Sequence, residues 1–143
     1  MGDNVKRFQS LTKYLSLLEN DPIGTWVNPN KDKAPDAPRE LPYVRYTEMV
    51  IHFVEDVYAF SANNRDFGLN NYIGILKKNG LKWGSVPMSN SDVSVLDAQC
   101  VMALLLGAVN AERFSDGALA SHFKRGNIRR WLTRLKEFDD AQG

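Results

Sequence analysis

The longest apolar stretch of the chain, residues 94–116, is the feature that most limits how this sequence can fold. Its apolar side chains cover more than one face of a helix and are Val95, Leu96, Val101, Met102, Leu104, Leu105, Leu106, Ala108 and Val109. A helix that is apolar nearly all round is buried inside a protein. The apolar run within it, residues 95–109, is shorter than the roughly 20 apolar residues that a bilayer-spanning helix needs. The sequence therefore predicts a central core helix over about residues 95–111, with Ser94 as its N-cap.

The composition is that of an ordinary globular chain. Its 143 residues suit one domain, predicted to span residues 1–143, with 43% hydrophobic and 24% charged residues. The single cysteine excludes a disulfide framework within the chain and a zinc site with several cysteines. Because residues 1–20 show no signal-peptide pattern, we expect a cytoplasmic protein with no membrane partner. The net charge of +1 gives no overall attraction to nucleic acid or anionic lipid.

Helical periodicity recurs on both sides of the central stretch. It predicts helices over residues 4–19, 43–60, 66–79, 116–125 and 127–139, with a loop over 81–91. Clean two-residue alternation, which is typical of strands, is absent from the sequence. We therefore predict an all-α fold, a single compact domain of five or six helices around the central apolar helix.

A proline-rich loop is predicted over about residues 20–42, which contain five of the six prolines. Loops of this length are usually functional or disordered, and we expect residues 28–40 to be mobile. The segment Gly24-Thr25-Trp26-Val27 lies within it. Trp26 is predicted to dock on the core; the alternative is an exposed aromatic residue that contacts a partner.

Two arrangements of possible catalytic or metal-binding residues receive little support. Glu48, His52 and Asp56 are spaced along one helix face and are weak candidates for a metal site, but charge pairs on a solvated face explain them better. Cys100 with His52 or His122 is a conceivable nucleophile pair. A reactive thiolate needs a partly exposed, electropositive setting, so Cys100 in the apolar stretch is predicted to be an inert core residue. The sequence indicates no catalytic motif, no cofactor and no metal.

Arg113 and Asp116 follow the central helix and have two interpretations. In the structural one, Arg113 bonds the last carbonyls of that helix or pairs with an acid such as Asp116, while Asp116 or Ser115 caps the next helix. In the functional one, Arg113 faces a cleft and binds an anionic ligand. Together with Trp26, these residues are the candidate contacts for a ligand or partner.

A basic surface is predicted on the C-terminal helix pair, over about residues 116–139. Its cations, with no acid between them, are Lys124, Arg125, Arg129, Arg130, Arg134 and Lys136. The first five are candidate nucleic-acid contacts, since a helix–turn–helix pair can place such a face against a groove. A solvated helix face is the interpretation that we favour, because Glu137, Asp139 and Asp140 follow at once.

The segment Ala111-Glu112-Arg113-Phe114-Ser115-Asp116-Gly117 has a distinctive R-F-x-x-G core. With Leu119, Gly126, Ile128 and Leu132–Leu135 after it, and Gly24 and Trp26 before it, the chain resembles the bacterial family "domain of unknown function 6508". The resemblance implies a similar layout and no particular activity.

These interpretations favour a small non-enzymatic binding or interaction protein with an unknown protein partner. Nucleic-acid binding through the C-terminal helix pair is the alternative. The sequence predicts no oligomeric state.

Overall fold

Helix α5, Ala98–Ala111, lies at the centre of the fold in a computed structural model that describes residues 6–142. All of its residues from 100 to 109 are buried, as the apolar stretch predicts. The stretch therefore supplies the middle of a single apolar core.

The N-cap of α5 differs from the prediction. Asp97, not Ser94, caps the helix, because its carboxylate accepts a hydrogen bond from the backbone N–H of Cys100 at 2.9 Å. Ser94 lies in a 3-10 turn, Val93–Val95, and donates its hydroxyl to Asp92 at 2.6 Å. An aspartate cap also suits the positive end of the helix dipole.

Six further helices accompany α5 in residues 6–142. They are α1 (Gln9–Thr12), α2 (Glu48–Asn63), α3 (Tyr72–Lys78), α4 (Ser85–Ser89), α6 (Ala118–Lys124) and α7 (Asn127–Gln142). This mostly helical architecture confirms the all-α prediction for one compact domain. None of these helices combines the length and the apolar character that crossing a bilayer requires.

Several helix boundaries are corrected by the structure. The helix predicted over residues 4–19 is only α1 followed by a 3-10 turn, Lys13–Leu15, and its first two predicted residues, 4 and 5, lie outside the described part. Two 3-10 turns, Arg65–Phe67 and Leu69–Asn71, occupy the start of the helix predicted over 66–79. The short α4 occupies part of the predicted loop 81–91.

Two strands form where the sequence predicts loop and helix. β1 (Gly24–Val27) pairs antiparallel with β2 (Tyr43–Tyr46), with Trp26 opposite Val44. Residues opposite each other point to the same face of a ribbon. Trp26, Val44 and Tyr46 therefore share one face, and that face contacts the beginning of α6. We call this two-stranded unit the β-ribbon.

The connection over residues 28–42 contains no helix or strand, as predicted, yet hydrogen bonds hold it together. The Asn30 side chain donates to the Glu40 carbonyl at 2.7 Å and accepts from the Glu40 N–H at 2.9 Å. Lys33 also pairs with Glu40 at 3.3 Å. These contacts close a loop that ends at Leu41 and Pro42, next to β2.

Candidate functional site

The N-terminus of α6 is capped by two residues from outside the helix. The Glu112 carboxylate accepts hydrogen bonds from the backbone N–H groups of Gly117 at 2.9 Å and Leu119 at 3.0 Å. The Tyr46 hydroxyl donates to Glu112 Oε1 at 2.6 Å and accepts from the Ala120 N–H at 2.9 Å. Burial and the hydrogen bond to Glu112 raise the pKa of Tyr46 above its usual range. The N–H groups of Leu119 and Ala120, which have no partner inside the helix, are thereby satisfied, and the Ala118 N–H donates to the Ser115 carbonyl at 3.1 Å.

This cap leaves Arg113 and Asp116 without the structural roles predicted for them. The residue at the N-cap position is Gly117, and no side chain there caps α6, so the prediction that Asp116 or Ser115 does so is wrong. Both Arg113 and Asp116 are exposed. Across residues 6–142, neither side chain takes part in an ion pair or a hydrogen bond. Their charges are therefore available to a ligand.

The structure brings Arg113, Asp116 and Trp26 to one cleft of about 460 Å³. We call it the aromatic cleft and define it by Trp26, Leu41, Pro42, Arg113, Phe114 and Asp116. Three of its large apolar side chains are strongly exposed: Trp26 at 56%, Leu41 at 80% and Phe114 at 77%. Clustered exposure of large apolar side chains is typical of interaction sites.

Trp26 packs on the turn before α6 with the edge of its six-membered ring. Gly117, in the left-handed region at a φ of 88°, lies beneath the ring, and a Cβ there would come within 2.5 Å of it. Glycine meets both requirements, the positive φ and the close approach. The indole therefore packs on backbone atoms of Gly117, while more than half of Trp26 is exposed. Trp26 is thus partly docked, as we predicted, and partly exposed, as in the alternative.

Three of the cleft residues were not predicted from the sequence to be site residues. Phe114 belongs to the R-F-x-x-G segment that supports the family resemblance, so a signal for it was present. Leu41 and Pro42 close the proline-rich loop, and only the pairing of β2 with β1 brings them beside Trp26.

The other candidate residues are not gathered into a catalytic or metal site. Within residues 6–142, no group of three or more His, Cys, Asp or Glu is placed to hold a metal ion. Glu48 and His52 are exposed on α2. Asp56, the third residue of that row, accepts a hydrogen bond from the Tyr14 hydroxyl and pairs with Lys13 at 3.4 Å. Asp56 therefore has structural partners, and Glu48 and His52 face solvent.

Cys100 and His122 are both buried, and no hydrogen bond joins them within residues 6–142. Burial raises the pKa of the Cys100 thiol to about 11, which disfavours the reactive thiolate. His122 Nδ1 lies 2.9 Å from Nδ2 of Asn127; with that amide nitrogen as the donor, Nδ1 is the acceptor and Nε2 of the neutral ring carries the proton. Burial, with a contribution from Arg125, lowers the pKa of His122 to about 4.

Four of the five candidate nucleic-acid contacts line a second groove, of about 410 Å³. We call it the arginine groove and define it by Ser94, Arg125, Arg129, Arg130, Arg134 and Glu137. Lys124 lines a different cavity, beside the β-ribbon. Arg129 lines both cavities, so four of the cations converge on the arginine groove and Lys124 lies beside it.

Two of these arginines have structural partners. Arg134 donates to the Leu96 carbonyl at 3.2 Å and pairs with Glu137 at 3.1 Å. Arg130 donates to the Ser89 carbonyl at 3.1 Å. These bonds hold α7 to the chain segments around α4 and before α5.

Comparison with known proteins agrees with the resemblance seen in the sequence. Residues 4–141 match the model of a family described as "Family of unknown function (DUF6508)". Comparisons with curated proteins and with solved structures found no match. The family match covers nearly the whole chain, including the R-F-x-x-G segment that lines the aromatic cleft. The chain therefore belongs to the family of unknown function DUF6508.

Proposed function

We propose that this protein is a cytoplasmic, non-enzymatic binding protein whose aromatic cleft holds a peptide segment of a partner protein. The observation that most supports this proposal is the placement of Arg113, with no ion-pair partner in residues 6–142, beside three exposed apolar side chains. A peptide with an apolar side chain next to a carboxylate matches that arrangement.

The apolar part of the cleft supplies the driving force. Removing apolar surface from water contributes roughly 25 cal/mol per Å², and Trp26, Leu41 and Phe114 together offer such surface to a ligand. Aromatic and arginine side chains are also the residues on which binding energy concentrates in protein interfaces. The cleft is therefore suited to one apolar anchor residue of a partner.

The charged part of the cleft supplies specificity. The Arg113 guanidinium can donate two parallel hydrogen bonds to a carboxylate, whereas Asp116 repels an acid and attracts a base. The two charges are three positions apart in the sequence, on the turn that joins α5 to α6. A bound peptide with one acidic end therefore has a preferred direction.

The test is to select binders from a displayed library of random peptides and to measure the affinity of synthetic copies by fluorescence anisotropy. We expect peptides with a large apolar residue beside Asp or Glu. Phe114→Ala and Arg113→Gln should each weaken binding at least tenfold, about 1.4 kcal/mol.

Val95→Ala is the matched control, because Val95 is also 77% exposed but lies in the 3-10 turn before α5. It should leave the affinity unchanged. Failure to select any peptide, or selected peptides whose affinity is the same for wild type and Phe114→Ala, would refute the proposal.

Nucleic-acid binding through the C-terminal helix pair is the alternative proposal. The convergence of Arg125, Arg129, Arg130 and Arg134 on one groove favours it. The structural bonds of Arg130 and Arg134 disfavour it, because they occupy donors that phosphates would need.

We expect no binding of mixed duplex DNA or single-stranded RNA tighter than about 10⁻⁵ M at physiological salt. Tighter binding would favour this alternative if it weakens with salt at a log–log slope of about −0.9 per phosphate and disappears in a variant with Arg125 and Arg129 changed to Ala.

A further inference from the structure

The charges of α7 run against its helix dipole. Arg129 and Arg130 lie within the first four residues of the helix, and Asp139 and Asp140 lie within the last four. The N-terminus of a helix bears partial positive charge, which disfavours cations and favours anions. Two arginines at that end raise the local positive potential further, so an anion placed there would be stabilised by both the helix and the side chains.

Three guanidinium groups at this end of α7 retain donors for such an anion. Within residues 6–142, the Arg129 guanidinium has only a long pairing with the exposed Glu19, at 3.7 Å. Arg125 makes one weak contact, from Nη1 to the Ser89 hydroxyl at 3.4 Å. Arg130 is fixed in place through its Nη2, and its Nη1 has no hydrogen-bond acceptor within residues 6–142, whereas its Nε is buried and out of reach of a ligand.

The acids near the groove only partly offset the positive charge of its arginines. Glu137 pairs with Arg134 at 3.1 Å. Asp92 accepts hydrogen bonds from the N–H and the hydroxyl of Ser94 at 3.1 and 2.6 Å, and its carboxylate also interacts electrostatically with Arg130. Glu19 is the one acid that an incoming anion would displace, from its long contact with Arg129. The charge of the groove therefore stays positive at the end formed by Arg125, Arg129 and Arg130.

We propose that the arginine groove binds a phosphate-class oxyanion, the phosphate group of a small phosphorylated molecule. Guanidinium groups bind tetrahedral oxyanions through paired, charge-assisted hydrogen bonds. The groove ends at the Arg134–Glu137 pair, whose donors already serve Leu96 and Glu137. That closed end suits a compact ligand and leaves no continuous track of cations for a nucleic-acid strand.

The test uses the whole chain and two simple probes, sodium pyrophosphate and sodium phosphate, at constant ionic strength. Isothermal titration calorimetry should give saturable binding of pyrophosphate at one site, with weaker binding of phosphate. Amide chemical-shift changes in the unmodified protein should centre on Ser94, Gly126 and Arg129. This second measurement does not depend on any variant that might unfold.

The variant is the double change Arg125→Gln and Arg129→Gln, which spares the structurally bonded Arg130 and Arg134. We expect it to weaken pyrophosphate binding at least tenfold. Arg65→Gln is the matched control, because Arg65 is an exposed arginine in a 3-10 turn after α2 and does not line the groove. It should change the affinity less than twofold.

Several outcomes would overturn the proposal. They are absence of saturable pyrophosphate binding, an equal loss in Arg65→Gln, and amide shifts centred away from the groove. Single-stranded RNA or a phosphoserine peptide that displaces pyrophosphate at lower concentration than a small phosphomonoester does would also overturn it, in favour of a macromolecular ligand. None of these results bears on the aromatic cleft, which lies on other elements.

Discussion

The hydroxyl of Tyr46 lies 2.6 Å from Oε1 of Glu112, and the two residues act as one cap for α6. Tyr46 belongs to the β-ribbon, and Glu112 follows the last residue of α5. Through this pair, the β-ribbon, the central helix and α6 share a single hydrogen-bonded junction. The turn that separates α5 from α6, with Arg113 and Phe114 on it, is held from both sides by that junction.

Removing the Tyr46 hydroxyl should destabilise the fold. In Tyr46→Phe, the Ala120 N–H loses its acceptor and Glu112 loses a donor in a partly buried place, which costs about 1–3 kcal/mol. Urea titration measures the loss. Tyr58→Phe is the control, because the Tyr58 hydroxyl also donates at 2.6 Å, to Asn110, but the residue is 39% exposed. It should cost no more than about 0.5 kcal/mol, and equal losses in the two variants would contradict the capping role.

Truncating a buried side chain of the central helix should lower the free energy of unfolding more than a change at the surface does. Leu105 is completely buried in α5, and replacing a buried leucine with alanine costs about 2–5 kcal/mol. Val95→Ala, at a strongly exposed position, should change the free energy of unfolding by no more than about 0.5 kcal/mol. A loss at Leu105 as small as that at Val95, in the same urea titration, would show that α5 is not the centre of the core.

The buried histidine should make stability depend on pH. The pKa of His122 is about 4 in the folded chain, against 6.5 for the ordinary group. Between these values the unfolded chain binds a proton that the folded chain does not, so stability is fully present above about pH 6.5 and falls as the pH drops toward 4. The loss is on the order of 3 kcal/mol.

The measurement compares urea unfolding of wild type and His122→Gln at pH 7 and pH 4.5. Glutamine keeps an acceptor for Asn127 but does not titrate, so the variant should lose less stability on acidification. Equal losses in both proteins would show that another group causes the pH dependence.

The loop between the strands should open when its Asn30 contacts are removed. Asn30→Ala deletes both hydrogen bonds to Glu40, so we expect trypsin to cut after Lys31 and Lys33 faster than in wild type. Asn70→Ala, in the 3-10 turn Leu69–Asn71, is a control of the same chemistry at an exposed position. Unchanged cleavage in Asn30→Ala, with the overall stability equal, would mean that Lys33 and the prolines suffice to hold the loop.

The core could be predicted from the sequence because its apolar residues recur at helical spacing within short segments of the chain. Phe53 in α2, Leu105 in α5 and Trp131 in α7 are all fully buried, and each repeats at helical spacing with its apolar neighbours. The β-ribbon could not be predicted in the same way. Each strand is only four residues long, too short for alternation to be visible, and the partner of each lies across a long loop.

The sequence picked out the two charged residues of the candidate site but not most of its apolar residues. Arg113 and Asp116 stood out because charges beside a helix end require an explanation. Leu41 and Phe114 did not stand out, because residue type alone does not tell whether a leucine or phenylalanine is exposed or buried. A typical protein surface also includes many apolar atoms. The capping role of Glu112 depends on the path of the turn after α5, which residue spacing alone does not specify.

The residue at position 117 and the residue at position 26 restrict each other. A side chain at 117 would have to adopt an unfavourable backbone conformation and would also collide with the indole. A relative that acquired even an alanine there would have to shift the β-ribbon or exchange the tryptophan for something smaller. Among family members we therefore expect a glycine at position 117 wherever the tryptophan is kept; where the tryptophan is lost, only the backbone conformation still favours glycine there.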